Sequence, residues 1–149
     1  MLATRLVRLI ETHAEQLSQG LMHKLQNDAR CADLHKVPPE ELRARSFDIF
    51  RNLSDWILGR PHELQQLYVE IGERRAHQGI EFSHVLYALT ATKEQLWEFL
   101  EHEGLVVKPV ELFGEMELFR LLDQFFDRAL YYAAVGYEHA RSCKTVAAA

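Results

Sequence analysis

From Pro109 to about Arg141 only Gly114 and Gly136 interrupt an otherwise continuous helical pattern. At the α-helical rise this stretch spans about 48 Å. Its apolar residues form more than one stripe. Leu118, Leu122, Phe125, Ala129 and Tyr132 make one line, and Phe119, Phe126, Leu130, Ala133 and Tyr137 lie beside it. The alternation of four and three in the first line is the spacing with which helices pack in bundles. A face this wide exceeds the need of one small core. The first line is therefore expected to serve a subunit interface as well as the interior, which predicts a homodimer.

The rest of the chain is also patterned for helices. Leu6, Leu9, Ile10, Leu17, Leu21 and Leu25 recur at helical spacing, with His13 filling the missing position, and predict a first helix from Ala3 to Ala29 that bends near Gly20. Residues 30–37 read as a loop. Pro38, Pro39, Glu40 and Glu41 suit the first turn of a second helix, because proline needs no amide partner there and acids favour the positive end. That helix would bury Leu42, Ser46, Ile49, Phe50, Leu53 and Trp56 or Ile57, and end at Gly59 and Pro61. A third helix is expected over His62 to Gln78, stopped by a left-handed Gly79. A fourth, capped by Ser83, carries Val85, Leu86, Leu89, Leu96, Trp97 and Leu100 to Gly104. Leu105 to Lys108 is a short apolar connector. The fold class is all-α, with residues 1–144 forming one domain and 145–149 a frayed tail.

The chain has 149 residues and a net charge of -5. That acidic balance argues against nucleic acid as a partner, since phosphates call for a basic surplus. No run reaches the ~20 apolar residues of a membrane span, and residues 1–16 lack the uninterrupted apolar core of a signal peptide. A cytoplasmic location is expected. Cys31 and Cys143 stand far apart with no metal-binding spacing, so reduced thiols are the simplest account.

Eight histidines invite a search for metal sites. Glu81 and His84 have the Glu-x-x-His spacing of di-iron bundles, but that chemistry needs two copies and this chain has one. Glu73 with His77, and Glu98 with His102, are spaced to pair along a helix face. No serine sits in a nucleophile elbow, and no glycine-rich phosphate loop occurs. The chain is therefore expected not to be an enzyme.

The segment Ile71-Gly72-Glu73-Arg74-Arg75-Ala76-His77-Gln78-Gly79-Ile80, followed by Val85-Leu86-Tyr87-Ala88-Leu89 and Leu96-Trp97, resembles the central signature of bacterial sensor globin domains. It is most similar to their cofactor-free branch, the N-terminal domain of RsbR-type stressosome co-antagonists, and the resemblance covers nearly the whole chain. It implies a globin-like helical bundle working in signal transduction and stress response. In haem-bearing relatives the signature reads Ile-Gly-x-x-His-x-x-x-Gly-Leu. The two glycines match Gly72 and Gly79, and the iron-ligating histidine falls on Arg75. Arginine has no lone pair to give a metal, so a non-haem domain without cofactor is expected. The alternative is a haem sensor using His77 or His84. A pocket kept without iron would be walled by Phe47, Phe50, Leu67, Tyr68, Ile71 and Leu86, with Arg75 available to an anionic head group. Were there no pocket, Arg75 would sit at the surface or pair with Glu73 or Glu70. In such relatives the long final helices pack across a two-fold axis and relay to an effector. Here the effector is expected to be a regulatory partner, such as a STAS-domain or kinase module, or part of a longer chain.

Overall fold

A computed structural model describes residues 4–103 and 109–148. Its described elements are all helical: α1 (Thr4–Thr12), α2 (Ala14–Gln26), a 3-10 segment (Ala29–Lys36), α3 (Pro39–Arg51), α4 (Leu53–Leu58), α5 (Pro61–His77), α6 (Phe82–His102) and α7 (Pro109–Ala148). No strand occurs among the described residues. The connector at Leu105 to Lys108 lies outside them.

Several expected boundaries move, each for a local reason. The first long helix breaks at His13 rather than near Gly20. The His13 ring Nδ1 lies 2.8 Å from the Leu9 carbonyl, so the side chain competes with the backbone ladder there. Gly20 instead leaves room for the end of the Gln95 side chain of α6, whose Nε2 would lie 2.5 Å from a Cβ at that position. Residues 29–36 wind into 3-10 turns, opened by Asp28, whose carboxylate accepts from the Arg30 amide. The expected second helix divides at Asn52 into α3 and α4. Pro39 and Pro61 occupy first-turn positions of α3 and α5. Gly79 takes the left-handed conformation, φ +71°, after α5. Ser83 does not cap α6, whose N-terminal boundary is Glu81. The last helix continues through Ala148, into the segment expected to fray.

The core has two parts, one where α7 packs on α4, α5 and α6 and one where α2 packs on α3 and α6. Leu6, Ile10, Leu21, Phe50, Leu53, Leu96, Leu100, Leu118, Leu122 and Phe126 are fully buried. Phe125 of α7 meets Trp56 of α4 and Tyr68 of α5, with ring centroids 6.3 and 6.1 Å apart. Trp97 of α6 packs on Phe119 at 4.6 Å. The most extensive contact runs between α5 and α7, and two glycines make it possible. A Cβ on Gly72 would lie 2.1 Å from the Ala133 carbonyl oxygen, and one on Gly136 would lie 2.0 Å from that of Val69. Each helix thus meets the other's backbone with no side chain between them.

Candidate functional site

On the face of α5 adjoining this crossing, Tyr68, Ile71 and Arg75 recur at helical spacing and line a cavity of about 70 Å³. Leu21 and Leu25 of α2, Leu42 and Ile49 of α3, and Val85 and Leu89 of α6 supply apolar walls. Arg45, Ser46 and Thr92 complete it. The hydroxyls of Ser46 and Thr92 donate to Leu42 and Ala88 carbonyls of their own helices, both at 2.8 Å. Their protons are committed away from the cavity.

Arg75 is only 3% exposed. Its Nη1 donates to Glu41 Oε1 at 3.2 Å and to Gln78 Oε1 at 3.1 Å. Neither Glu73 nor Glu70 is its partner, because α3 brings Glu41 over the buried guanidinium. Burial pulls the Arg75 guanidinium below its ordinary value, and the Glu41 carboxylate opposes that. Burial works the other way on Glu41, but the hydrogen bond from Arg74 and the charge of Arg75 hold its carboxyl below the ordinary value.

Two polar groups at this cavity are left over. The Tyr68 hydroxyl is buried without a hydrogen-bond partner, and so is Nε of Arg45. Burial pushes the Tyr68 phenol well above its ordinary value, so it keeps its proton. The cavity therefore presents hydrogen-bond donors with too few acceptors.

Of the residues expected to wall a pocket, Tyr68, Ile71 and Arg75 line this cavity. Phe50 is fully buried, and Phe47, Leu67 and Leu86 are partly buried, all away from it. Sequence reasoning passed over Arg45 and Thr92. A usable signal existed, since Leu42, Arg45, Ser46 and Ile49 share one helical face and Val85, Leu89 and Thr92 another.

The other sequence candidates are distributed differently. Leu118, Leu122, Phe125 and Ala129 are no more than 3% exposed within the single chain, and Tyr132 is partly buried. Within the single chain α4, α5 and α6 cover this stripe, so four of its five residues face the chain's own core. Among the described residues of α7, the exposed large apolar side chains are Phe113, Met116, Tyr131 and Val135. Glu73 lies 3.2 Å from His139 of α7 instead of pairing with His77, and Glu98 pairs with Lys24 at 2.6 Å instead of His102. His77 is exposed. His84 Nδ1 accepts from the Asp33 amide at 3.0 Å. Neither histidine lines the cavity, whose volume is far below that of a porphyrin, so the residues do not fit haem at this place. No cluster of metal-ligating side chains occurs among the described residues, and none of their helices is long and apolar enough to cross a membrane.

A family model described as the RsbT co-antagonist protein rsbRD N-terminal domain matches residues 2–144. The chain belongs to this family. No curated protein and no solved structure matches it. The rsbRD N-terminal domain match reaches every described helix, α7 as far as residue 144, and it makes the chain a stressosome-type signalling domain that operates with regulatory partners. In this rsbRD N-terminal domain Arg75 is the buried cation of the cavity.

Proposed function

We propose that the domain is a non-catalytic, cofactor-free sensor of the globin-like type that acts as a homodimer and relays a signal to a regulatory partner, such as a STAS-domain or kinase module. One observation carries the reading. The helix that faces the cavity, α5, is interlocked with α7 through Gly72 and Gly136. A displacement of α5 at the cavity has to be shared by α7, because close-packed backbones transmit shifts instead of absorbing them.

The exposed face of α7 is the natural place to receive that shift. Phe113 and Tyr131 lie about five turns apart on one side of the helix. In an antiparallel pairing of two copies centred near residue 124, Met116 meets Tyr131 and Arg120 meets Asp127. Apolar groups and opposite charges then coincide across the two-fold axis, as an isologous interface requires. A small slide between the paired helices would bias the partner-binding state.

Sedimentation velocity over a broad concentration range tests this. The wild type is expected to sediment as a dimer, and the double variant Met116→Asp/Tyr131→Asp as a folded monomer with unchanged helical circular dichroism. A wild type that stays monomeric throughout, or a double variant that still dimerises, would sink the dimer relay.

A further inference from the structure

The geometry points to a binding site for a short-chain monocarboxylate in the cavity between Arg45, Tyr68 and Arg75. This deepens the sensory reading by naming the chemistry of its ligand, though binding itself does not require the dimer.

The charge of the ligand follows from the donors. Among the described residues Arg45 makes no ion pair, and its buried Nε has no partner. Tyr68 is 2% exposed and its hydroxyl is unpartnered. Arg75 already gives Nη1 to Glu41 and Gln78, so the unmet demand at the cavity is that of Arg45 Nε and the Tyr68 hydroxyl. Groups of this kind are almost always satisfied when buried, and an orphan marks a missing partner. The acceptors at hand do not meet the demand. Glu41 Oε1 already serves Arg74 at 2.6 Å as well as Arg75. Asp48, one turn along α3 from Arg45, takes the Trp56 indole at 3.1 Å and the Asn52 amide at 2.8 Å.

A monoanion fits better than a phosphate. A guanidinium fork matches a planar carboxylate in a bidentate pair, with the Tyr68 hydroxyl as an additional donor. A doubly charged phosphoryl group would have to shed more water than three donors can replace. The remaining wall is aliphatic, from Leu21, Val85 and Leu89, so the rest of the ligand is apolar. Size sets the chain length. A cavity of about 70 Å³ is roughly half the ~150 Å³ that accepts benzene. Benzene has as many non-hydrogen atoms as butyrate, so about two carbons fit the cavity as it stands, and the tail of a four-carbon acid has to reach between the leucines at its edge. Leu25, Leu34 and Leu42 also border a neighbouring cavity of about 230 Å³ between α2, the 3-10 segment and the start of α3. A longer chain would have to push through them.

Isothermal titration with sodium acetate, butyrate and octanoate, at ionic strength matched with sodium chloride, tests the assignment. Butanol serves as the uncharged control. Butyrate is expected to bind saturably, and butanol at least tenfold more weakly. Tyr68→Phe and Arg45→Gln are each expected to weaken butyrate about tenfold, in line with the loss of a charge-assisted hydrogen bond. These two variants are preferred to Arg75→Gln, which disturbs the buried Glu41 pair. No saturable binding by any of the acids would overturn the proposal. So would undiminished butyrate binding in both variants, or butanol binding as well as butyrate. Sedimentation of the same samples separates this result from the relay. A monomer that binds butyrate keeps the site and discards the dimer; a dimer that binds nothing does the reverse.

Discussion

Against α7, helix α5 presents Gly72 to the Ala133 carbonyl, and Val69 receives Gly136 in return, with no room for a methyl group on either side. A short way round the same helix, Tyr68 and Arg75 face a cavity with unsatisfied donors. The first face is dry, complete and tolerant of nothing. The second is loosely filled, and its polar groups are provided for only in part. Cores usually reach the density of the first face throughout, so the second spends stability on something other than folding. A sensor needs both: a place that can change its contents, and a rigid joint that passes the change on.

The largest effect that would break this comparison belongs to the joint. Gly72→Ala places its methyl group 2.1 Å from a backbone oxygen, and no rotamer relieves a Cβ. The helices must separate, at a cost of about 3 kcal/mol or more. Chemical denaturation should report a loss of that size. A loss no larger than the few tenths expected of an exposed helical site would mean that α5 and α7 do not interlock.

Much of the joint, and less of the cavity, was legible in the sequence. That the last helix is the longest followed from a pattern broken only at Gly114 and Gly136, although it runs on past Arg141 to Ala148, and Gly72 stood out within the family signature. The partner glycine, Gly136, looked like a weak point in a long helix, because a helix-contact glycine and a helix-weakening one read the same in one dimension. The depth at which the expected interface line is buried has a related cause. A stripe tells how much surface α7 buries, not against what, and α4, α5 and α6 together cover Leu118, Leu122, Phe125 and Ala129. The partner of Arg75 was also out of reach. Glu73 and Glu70 are close along the chain, whereas Glu41 arrives from α3 only once the tertiary fold has formed. Tyr68, Ile71 and Arg75 share one face and could be found by period alone. Arg45 lies on an equally regular face, but a charged residue there reads like a surface one until the fold brings Tyr68 beside it.

A middle-sized effect tests how far the cavity side is held by charge. Glu41 keeps 24% of its side chain in water, so Glu41→Gln should cost about 1–2 kcal/mol, below the ~3–5 of a fully buried pair. The pH dependence gives the sign. The Glu41 carboxyl lies below its ordinary value of 4.5 in the folded chain. Its contribution is therefore complete above that pH and is lost as the pH falls through the folded value. The wild type should lose stability relative to Glu41→Gln on acidification below about pH 4.5, followed by urea denaturation at stepped pH. Parallel curves for the two proteins would remove Glu41 as the counter-charge of Arg75.

The smallest effect sharpens the contrast most, because it compares two buried tyrosines that differ only in whether the hydroxyl is used. Tyr137, on α7 beside the joint, donates to the Ile80 carbonyl just after α5 and packs its ring on Phe82 at 4.8 Å. Tyr68 buries its hydroxyl at the cavity with no acceptor. Removing the first oxygen strands a buried carbonyl, and Tyr137→Phe should cost about 1–2 kcal/mol. Removing the second strands nothing, so Tyr68→Phe should stay within about 0.5 kcal/mol of the wild type, or gain slightly. Equal losses in urea denaturation would mean that the Tyr68 hydroxyl has a partner after all, and the two faces of α5 would then be satisfied alike. A neutral Tyr68→Phe that has also lost its affinity for butyrate would separate stability from binding at a single oxygen atom.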